Sequence, residues 1–542
     1  MRRISLLVSG LTLAVLFSVG PAAAKTITVN SPLDNNVTND GDCTLREAVQ
    51  SAQNDNMNQP NQDCAWGQGP DEIVFSSAVG SAVTLNTQVH LSSDLVIRGP
   101  MTIKSAGFER LFRIGGKFNI EFRDLALEDG NESGAGGAIL IASPAAQVDI
   151  VNCRFRGNVA EGLGGAISSA NAKVTIKDSE FAVNKSASSG GALHGSNMSI
   201  SNSSFESNMA DLGGGALFCA SGSSSQPVLI ERTYFATNIA WGKVSNGIQT
   251  GGGGAIMSNC YLEVLNSEFQ ANMAFGVVGG GALLHGSAGV ATITRSLFQV
   301  NSAGWGDEPS GGSGGAILAR GELHLHRSVL TDNVARGGNG GGGVYFENSQ
   351  GSYVVNSAFM WNISQFDQMH ALRVRPQMPR SGGAIGIYGT SEVELIHTSL
   401  VGNYGRSEIN YEIVNSPGHV YLKNSLVEGH FTDSTCDGNG LPLMLGGETI
   451  SSGGNLQLSP TAATCPEVPE TKTFSKVFQG DFNLSTPAGL LTFEYPVPDP
   501  AGPAVGGAVG SFCTAAGVWA IDLLNLPRTQ PCDIGAVEVP IP

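Results

Sequence analysis

GGAI at residues 164–167, followed by FAVN at residues 181–184, is one copy of a pattern that this chain repeats nine times. Each copy begins with a Gly-Gly pair and reaches an Asn, usually three residues after a Phe or a Leu. The pairs are Gly136-Gly137, Gly164-Gly165, Gly190-Gly191, Gly214-Gly215, Gly253-Gly254, Gly280-Gly281, Gly314-Gly315, Gly342-Gly343 and Gly382-Gly383, and each is followed by Ala except the eighth, which is followed by Val344. The asparagines, 24 to 41 residues apart, are Asn158, Asn184, Asn208, Asn238, Asn272, Asn301, Asn333, Asn362 and Asn403. Such a period corresponds to one supersecondary unit per repeat.

Short runs of alternating apolar and polar residues precede the asparagines. Examples are VTI at residues 174–176 and LEV at residues 262–264. Alternation with a period of two, bounded by Gly, Asn and Ser, predicts β-strands. The period is too short for a propeller blade and contains no helical pattern. We therefore predict an all-β fold, a parallel β-helix in which each repeat forms one coil.

The repeated residue types fit coils that stack about 4.8 Å apart. Phenylalanines would then fill the core, and each asparagine amide would bond the next one, so that no buried polar group lacks a partner. Glycine permits a sharp turn because it takes positive φ without steric cost. We therefore assign the nine asparagines to a structural ladder and not to a binding or catalytic site.

Four regions are expected along the chain. Residues 1–24 read as a secretory signal peptide, because Arg2-Arg3 precedes a short apolar run and an Ala-x-Ala cleavage signal. Residues 25–70 would form an N-terminal cap, 71–430 the β-helix and 431–542 a C-terminal cap. No later segment has the apolar length to span a bilayer. The mature chain is expected to be secreted or attached to the cell surface, and the periplasm remains an alternative.

Composition narrows the choice of partners. The formal net charge is −17, although charged residues make up only 14% of the chain. An acidic surface disfavours nucleic acid and anionic membranes as partners. No cofactor is expected.

The exposed ends of a β-helix need covers, because their strand groups are unpaired. In CTLREAVQ at residues 43–50, Thr44 and Glu47 predict a capping box, and Leu45, Ala48 and Val49 give one apolar face of a short helix. The tail after residue 430 is interpreted as the second cover. Its charged residues Asp522, Arg528, Asp533 and Glu538 are assigned to cap structure.

Nine cysteines in an exported chain predict disulfides and one leftover thiol. Cys43 and Cys64 are a candidate pair in the N-terminal cap. Cys219 and Cys260 follow their Gly-Gly turns and are candidates for a cross-link between adjacent coils. Cys153 stands where other repeats have Ser or Thr, which predicts a buried free thiol. The tail cysteines, which allow three pairings, with sequence neighbours as one choice, are Cys436, Cys465, Cys513 and Cys532.

Three motifs resemble those of known families. GGAI with Phe-x-x-Asn is similar to the repeat of the chlamydial polymorphic outer-membrane proteins. CTLREA at residues 43–48 resembles the CSLREA motif of exported bacterial β-helix proteins, and CDIGAVE at residues 532–538 resembles the tail of the same proteins. The resemblance implies a single-stranded, right-handed parallel β-helix but no activity. The membrane barrel of the chlamydial proteins is not expected, since the chain after the repeats is short and lacks a series of lipid-facing strands.

Two classes of function remain. Many parallel β-helix proteins act on polysaccharides, which requires paired carboxylates or a carboxylate calcium site, and the repeat strands contain no Asp-Asp cluster. His194 and His285 follow their turns one residue out of phase, which disfavours a shared histidine site. The acidic positions that outward solvation explains are Asp178, Glu180, Glu206 and Glu268. We expect a non-catalytic, adhesin-like or structural binding protein, with a carbohydrate-active enzyme as the alternative.

The candidate binding surface lies in the loops just after the asparagine ladder. Aromatic residues follow five of the asparagines: Trp241, Phe275, Trp305, Phe366 and Tyr404. If the coils stay in register, these side chains line one lateral edge beside the insertions 242–250, 306–313 and 367–381. Such an edge fits sugar rings or a surface protein. The alternative is that the aromatic rings fold back over loop backbone.

Overall fold

The computed structural model describes residues 25–54, 63–169, 171–222, 224, 226–242, 244–245, 248–249, 251–276, 278–304, 312–336, 340–365, 382–404, 407–412, 418–423, 425–428, 447–451, 456–458, 476–486, 489–497 and 522–523. Within them the chain is an all-β parallel solenoid with one short α-helix, which confirms the predicted fold class. A regular coil contains four short strands. In one such coil these are Ile139–Ile141, Gln147–Val151, Arg154–Arg156 and Val159–Ala160.

Equivalent strands of successive coils pair in parallel and build three sheets. The first strands form the 12-stranded sheet: Val89–Leu91, Phe112–Ile114, Ile139–Ile141, Ile167–Ser169, Leu193–His194, Leu217–Cys219, Ile256–Ser258, Leu283–His285, Ile317–Ala319, Val344–Glu347, Gly382–Tyr388 and Ser407–Glu412. The fourth strands form the 9-stranded sheet: Asn131–Glu132, Val159–Ala160, Lys185–Ser186, Met209–Ala210, Ile239–Ala240, Met273–Ala274, Ser302–Ala303, Val334–Arg336 and Ile363–Gln365.

The second and third strands form two columns of one 27-stranded sheet. The first column contains Thr26–Val29, Asp71–Phe75, Gln147–Val151, Lys173–Lys177, Met198–Ser201, Val228–Glu231, Leu262–Leu265, Val290–Thr294, Glu322–His326, Ser352–Val355, Glu392–Ile396, Gly418–Lys423 and Gly447–Ser451. The second contains Ala82–Leu85, Arg154–Arg156, Glu180–Ala182, Ser204–Glu206, Tyr234–Ala236, Glu268–Gln270, Leu297–Gln299, Val329–Thr331, Ala358–Met360, Ser399–Val401, Leu426–Glu428 and Leu456–Leu458. Leu95–Ser105 and Asn119–Glu128 run through both columns. Outside these sheets lie a 3-10 turn, Ser77–Val79, and two antiparallel hairpins, Val244–Ser245 with Ile248–Gln249 and Lys476–Thr486 with Gly489–Val497.

The N-terminal region contains the predicted helix, Leu45–Asn54. The capping box is present, because the Thr44 backbone N–H donates to Glu47 Oε2 at 3.0 Å and the Glu47 N–H donates to Thr44 Oγ1 at 3.3 Å. The first solenoid strand, Thr26–Val29, already lies in this region and pairs with Asp71–Phe75. The solenoid therefore begins before residue 71.

Parallel pairing also continues beyond residue 430. Gly447–Ser451 pairs with Gly418–Lys423, and Leu456–Leu458 pairs with Leu426–Glu428. The following sequence predictions lie outside the described residues: the signal peptide, Cys436, Cys465, Cys513, Cys532, Arg528, Asp533 and Glu538.

A ladder of phenylalanines fills the core. Their rings lie parallel within 2° to 9°, with centroids 4.5 to 4.9 Å apart, in the series Phe155, Phe181, Phe205, Phe235, Phe269 and Phe298. Leu330, Phe359 and Leu400 continue the same row in register. All are fully buried, and burial of one such side chain contributes about 1.5–3 kcal/mol.

The asparagine ladder is present in every predicted coil. Asn238 is typical: its Nδ2 donates to Asn272 Oδ1 at 2.9 Å and to the Phe205 carbonyl of the preceding coil at 2.9 Å. Its Oδ1 accepts the backbone N–H and the side-chain amide of Asn208, both at 3.0 Å. All four hydrogen-bonding positions of this buried amide are thus occupied, which supports a structural role.

The Gly-Gly turns match the prediction in the first seven copies. In the ninth copy the first glycine, Gly382, has no positive φ and begins the strand Gly382–Tyr388. In the eighth copy Gly341 has the positive φ of 69° that the first glycine has in those seven copies, so the pair is Gly341-Gly342 and not Gly342-Gly343. Gly343 occupies the Ala place, because its carbonyl accepts the N–H of Ala316. A Cβ at Gly343 would lie 2.7 Å from the Phe359 ring, which explains why Ala is absent here.

Both disulfides described in the structure agree with the sequence predictions. Cys43 pairs with Cys64, and Cys219 pairs with Cys260 of the adjacent coil. Cys153 is a buried free thiol, and burial raises its pKa to about 12. Its backbone N–H donates to Ser179 Oγ at 3.1 Å. Cys153 therefore stands first in a row of small side chains. Because its pKa is raised, its thiol is not an activated nucleophile.

Candidate functional site

Two of the five lateral aromatic residues are neighbours at one edge of the 9-stranded sheet. Trp241 directly follows the strand Ile239–Ala240, and Phe275 holds the same place in the next coil. The Trp241 N–H donates to the Ala210 carbonyl, and the Phe275 N–H donates to the Ala240 carbonyl. Each residue thus makes the same backbone hydrogen bond to the coil before it. The two side chains therefore occupy equivalent positions on adjacent coils.

The two rings form a half-exposed pair. Their centroids are 4.8 Å apart with planes tilted by 34°, and 40% of Trp241 is exposed while Phe275 is partly buried. Gly242 and Gly276 follow the rings, and a Cβ added at Gly242 would lie 2.5 Å from the Gly276 Cα. The chains after both rings therefore run in contact, which keeps the two rings next to each other at the surface.

The other three aromatic residues do not extend this pair in the described structure. Tyr404 is 52% exposed, but it bridges to Ile363, a register position two residues before that of Trp241. The places equivalent to Trp241 and Phe275 in the flanking coils hold Asp211 and Gly304. Trp305 and Phe366 lie outside the described residues. The surface we call the aromatic pair is thus Trp241 with Phe275 alone.

A groove of about 800 Å³ lies on the outside of the 27-stranded sheet, at the bend between its two columns. Asp124, Asn152, Asp178 and Asn202 from four successive coils line it, all with left-handed backbone. The Asn152 amide donates to Asp124 Oδ1 at 2.6 Å, and the Asn202 amide donates to Asp178 Oδ1. Sequence reasoning missed this polar groove, because the bend residues change from coil to coil.

Exposure to solvent accounts for only some of the four acidic positions singled out in the sequence. Asp178 and Glu206 are exposed, as expected. Glu268 is only 6% exposed and pairs in register with Tyr234, so solvation does not explain it. Burial, with Glu268 and Glu206 adding to it, raises the pKa of Tyr234.

A cluster of rings lies on the outer face of the first column. The His324 ring stacks on Tyr353 of the next coil at 4.0 Å, and His324 Nε2 lies 2.6 Å from Glu322 Oε1. His326 meets the Tyr353 ring edge-on, and burial lowers the pKa of His326 to about 4. The sequence shows the two histidines beside each other, but the tyrosine comes from another coil and only the register reveals it.

The histidines after the Gly-Gly turns do not form a shared site. His194 pairs in register with Ser168 and Phe218, whereas His285 pairs with Ser258, one position later along the strand. His194 Nδ1 lies 3.0 Å from Ser168 Oγ. Burial lowers the pKa of both histidines to about 4, so they are neutral at physiological pH.

In the part of the chain that the structure describes, no group of three or more His, Cys, Asp or Glu could hold a metal ion. In the same part, none of the helices has the length and apolar character needed to cross a bilayer. No protein-family model matches the sequence, and no curated protein is significantly similar to it. The functional argument therefore depends on the fold and on the geometry of these surfaces.

Proposed function

We propose that this chain is an exported, non-catalytic, adhesin-like β-helix protein that binds a glycan or a surface protein through the aromatic pair. The observation that carries this proposal is the half-exposed Trp241 ring held against Phe275. Two disulfides support export, since such bonds persist in oxidising compartments. The signal-peptide pattern of residues 1–24 and the resemblance to exported bacterial β-helix proteins point the same way.

The physical chemistry of the pair suits a flat, partly apolar ligand. A tryptophan ring packed against a neighbouring ring offers a large contact area that is already ordered before binding, so that little side-chain entropy is lost. Its indole N–H can also donate a hydrogen bond at the rim of the contact. Tryptophan is accordingly enriched among the residues that dominate binding energy at interfaces.

Screening the mature chain on bacterial, plant and host glycans, and on host cells, tests this proposal. We expect Trp241→Ala to weaken binding by about 2 kcal/mol, which is about thirtyfold in Kd, because it removes the ring that the ligand contacts. Phe108→Ala is the matched control, since Phe108 is 89% exposed on an earlier coil. Equal binding by both variants and the parent chain would show that the aromatic pair is not the binding surface.

The open groove favours a second candidate, a carbohydrate-active enzyme. Asp124 and Asp178 stand on alternate coils, which places them about 9–10 Å apart from the coil spacing. Carboxylates at roughly 6.5–9.5 Å suit inverting glycoside hydrolysis. The same glycan screen decides this: release of reducing ends that Asp178→Asn abolishes would establish the enzyme, and binding without product would exclude it for those glycans.

A further inference from the structure

The outward side chains of the 27-stranded sheet change in character along the solenoid. In Arg154–Arg156 the outer residues are exposed and the middle one, Phe155, is buried in the core. In Val329–Thr331 and Ala358–Met360 all three positions are buried, although strand alternation points the first and third outward. Something therefore covers the outer face of the later coils.

The covered outer face is apolar. None of its members is more than 1% exposed, and none belongs to the core cluster inside the solenoid. We call this surface the apolar bed, and its members are Leu297, Val329, Val355, Ala358, Met360 and Ile396. Burial of six such side chains outside the core requires a second layer of protein.

One described segment of the C-terminal part lies against this bed, and a second lies near its edge. The strand Gly489–Val497 contacts Ala358–Met360. Asp522 and Leu523 are 0% and 1% exposed, and Asp522 is close enough to Arg327 to raise the pKa of the guanidinium. Arg327 stands at the bend of the coil, two residues before Val329 in the bed.

Electrostatics support this contact. Burial is the main cause that lowers the pKa of Arg327, the neighbouring Arg295 lowers it further, and Asp522 opposes both. Partial burial of a guanidinium is costly unless a carboxylate accompanies it. The adjoining His326 is neutral, because burial lowers its pKa to about 4. The apolar bed thus has one positive charge at its edge, the Arg327 guanidinium, and Asp522 supplies the opposite charge.

We propose that two segments of the C-terminal part, the strand Gly489–Val497 and the pair Asp522-Leu523, dock along the side of the solenoid and cover the apolar bed. We call these two segments the strap. The strand Gly489–Val497 lies over Ala358–Met360, Leu523 supplies an apolar contact, and Asp522 fixes the position of the strap on Arg327. The strap closes the outer face of the later coils, while the groove at Asp124–Asn202 stays open. Only the earlier coils then offer this face to a ligand.

Peroxide oxidation of individual methionines in the full-length chain, measured by peptide mass spectrometry, tests the strap. Met360 lies in the bed, whereas Met198 lies in the interior and reports on the solenoid itself. We expect Leu523→Asp to speed Met360 oxidation several-fold and to leave Met198 unchanged, because a carboxylate at that place cannot remain buried in the bed. Leu33→Asp, at a half-exposed leucine, is the matched control. A Met360 rate equal to that of the parent chain would overturn the proposal.

A double-mutant cycle tests the charged contact without adding a charge. Asp522→Asn and Arg327→Met should each speed Met360 oxidation, and the double variant should be no faster than the faster single variant, because both remove one interaction. Effects that multiply in the double variant would show that Asp522 and Arg327 act independently, which contradicts the docking contact.

Discussion

The two glycines of a regular turn are required for different reasons. Gly214 has φ of 64°, a left-handed conformation that costs other residues energy. Gly215 lacks positive φ, but a Cβ there would lie 2.1 Å from the carbonyl oxygen of Gly254 in the next coil. The first glycine thus serves the turn within one coil, and the second allows two coils to approach each other.

Gly215→Ala is expected to destabilise the protein by about 3 kcal/mol or more, because the added methyl group meets backbone atoms that cannot move without shifting a coil. Urea unfolding followed by circular dichroism measures this loss. Gly107→Ala is the control, since a Cβ at Gly107 meets nothing within 4 Å. Equal midpoints for the two variants would contradict the close-approach explanation.

The strands of this protein are too short to be stable alone. The first strand of a regular coil, such as Leu217–Cys219 or Ile256–Ser258, contains three residues. Stability must therefore come from the coils on either side, as in other solenoids. The Cys219–Cys260 disulfide joins these two neighbouring coils covalently across a sequence separation of 41 residues.

Removing this cross-link with Cys219→Ser and Cys260→Ser is expected to lower the free energy of unfolding by about 2–4 kcal/mol, because the unfolded chain loses a constraint. Hydrogen exchange should also rise first in Leu217–Cys219 and Ile256–Ser258, the strands nearest the cross-link. Cys153→Ser is the control: it removes a thiol but places serine where other coils already have Ser or Thr. A cross-link variant that unfolds at the same urea concentration as this control would refute the prediction.

On the scale of the whole molecule, buried histidines couple the stability of the solenoid to pH. Burial lowers the pKa of His194, His285 and His326 from 6.5 to about 4. The unfolded chain therefore binds protons at pH values where the folded protein keeps these rings neutral. The stability that they contribute is complete above about pH 6.5 and is lost as the pH falls toward 4.

We expect the melting temperature to fall steeply between pH 6.5 and pH 4, and to fall by more than in a variant of this chain without the three buried histidines. His285→Gln should flatten this dependence, because it removes one proton-binding group whose pKa differs between the two states. His90→Gln, at an exposed position, should leave it unchanged. Scanning calorimetry across this range measures both slopes, and parallel curves for His285→Gln and the parent chain would contradict the assignment.

The sequence predicts those features that repeat in every coil. The asparagine and phenylalanine rows are visible because identical residues must stack. The left-handed bends at Val183 and Trp361 cannot be predicted from the sequence. Their φ angles of 58° and 52° are unusual for such residues and are imposed by the coils on either side. The contact between His324 and Tyr353 likewise depends on the register between two coils, which local sequence patterns do not determine. For the same reason sequence analysis placed Tyr404 in the aromatic row, whereas the structure puts it two register positions away from Trp241.

The asparagine ladder also gives the solenoid an internal direction. In all eight links the donor is the Nδ2 of the earlier coil and the acceptor is the Oδ1 of the later coil, at 2.7 to 3.0 Å. Hydrogen bonds aligned in this way polarise one another, so each link is strengthened by those before and after it. The solenoid interior therefore carries a polar axis from Asn158 to Asn403, whose dipole grows with every coil. Replacing an amide in a central coil, such as Asn272, divides this axis into two shorter ones, whereas replacing Asn158 only shortens it.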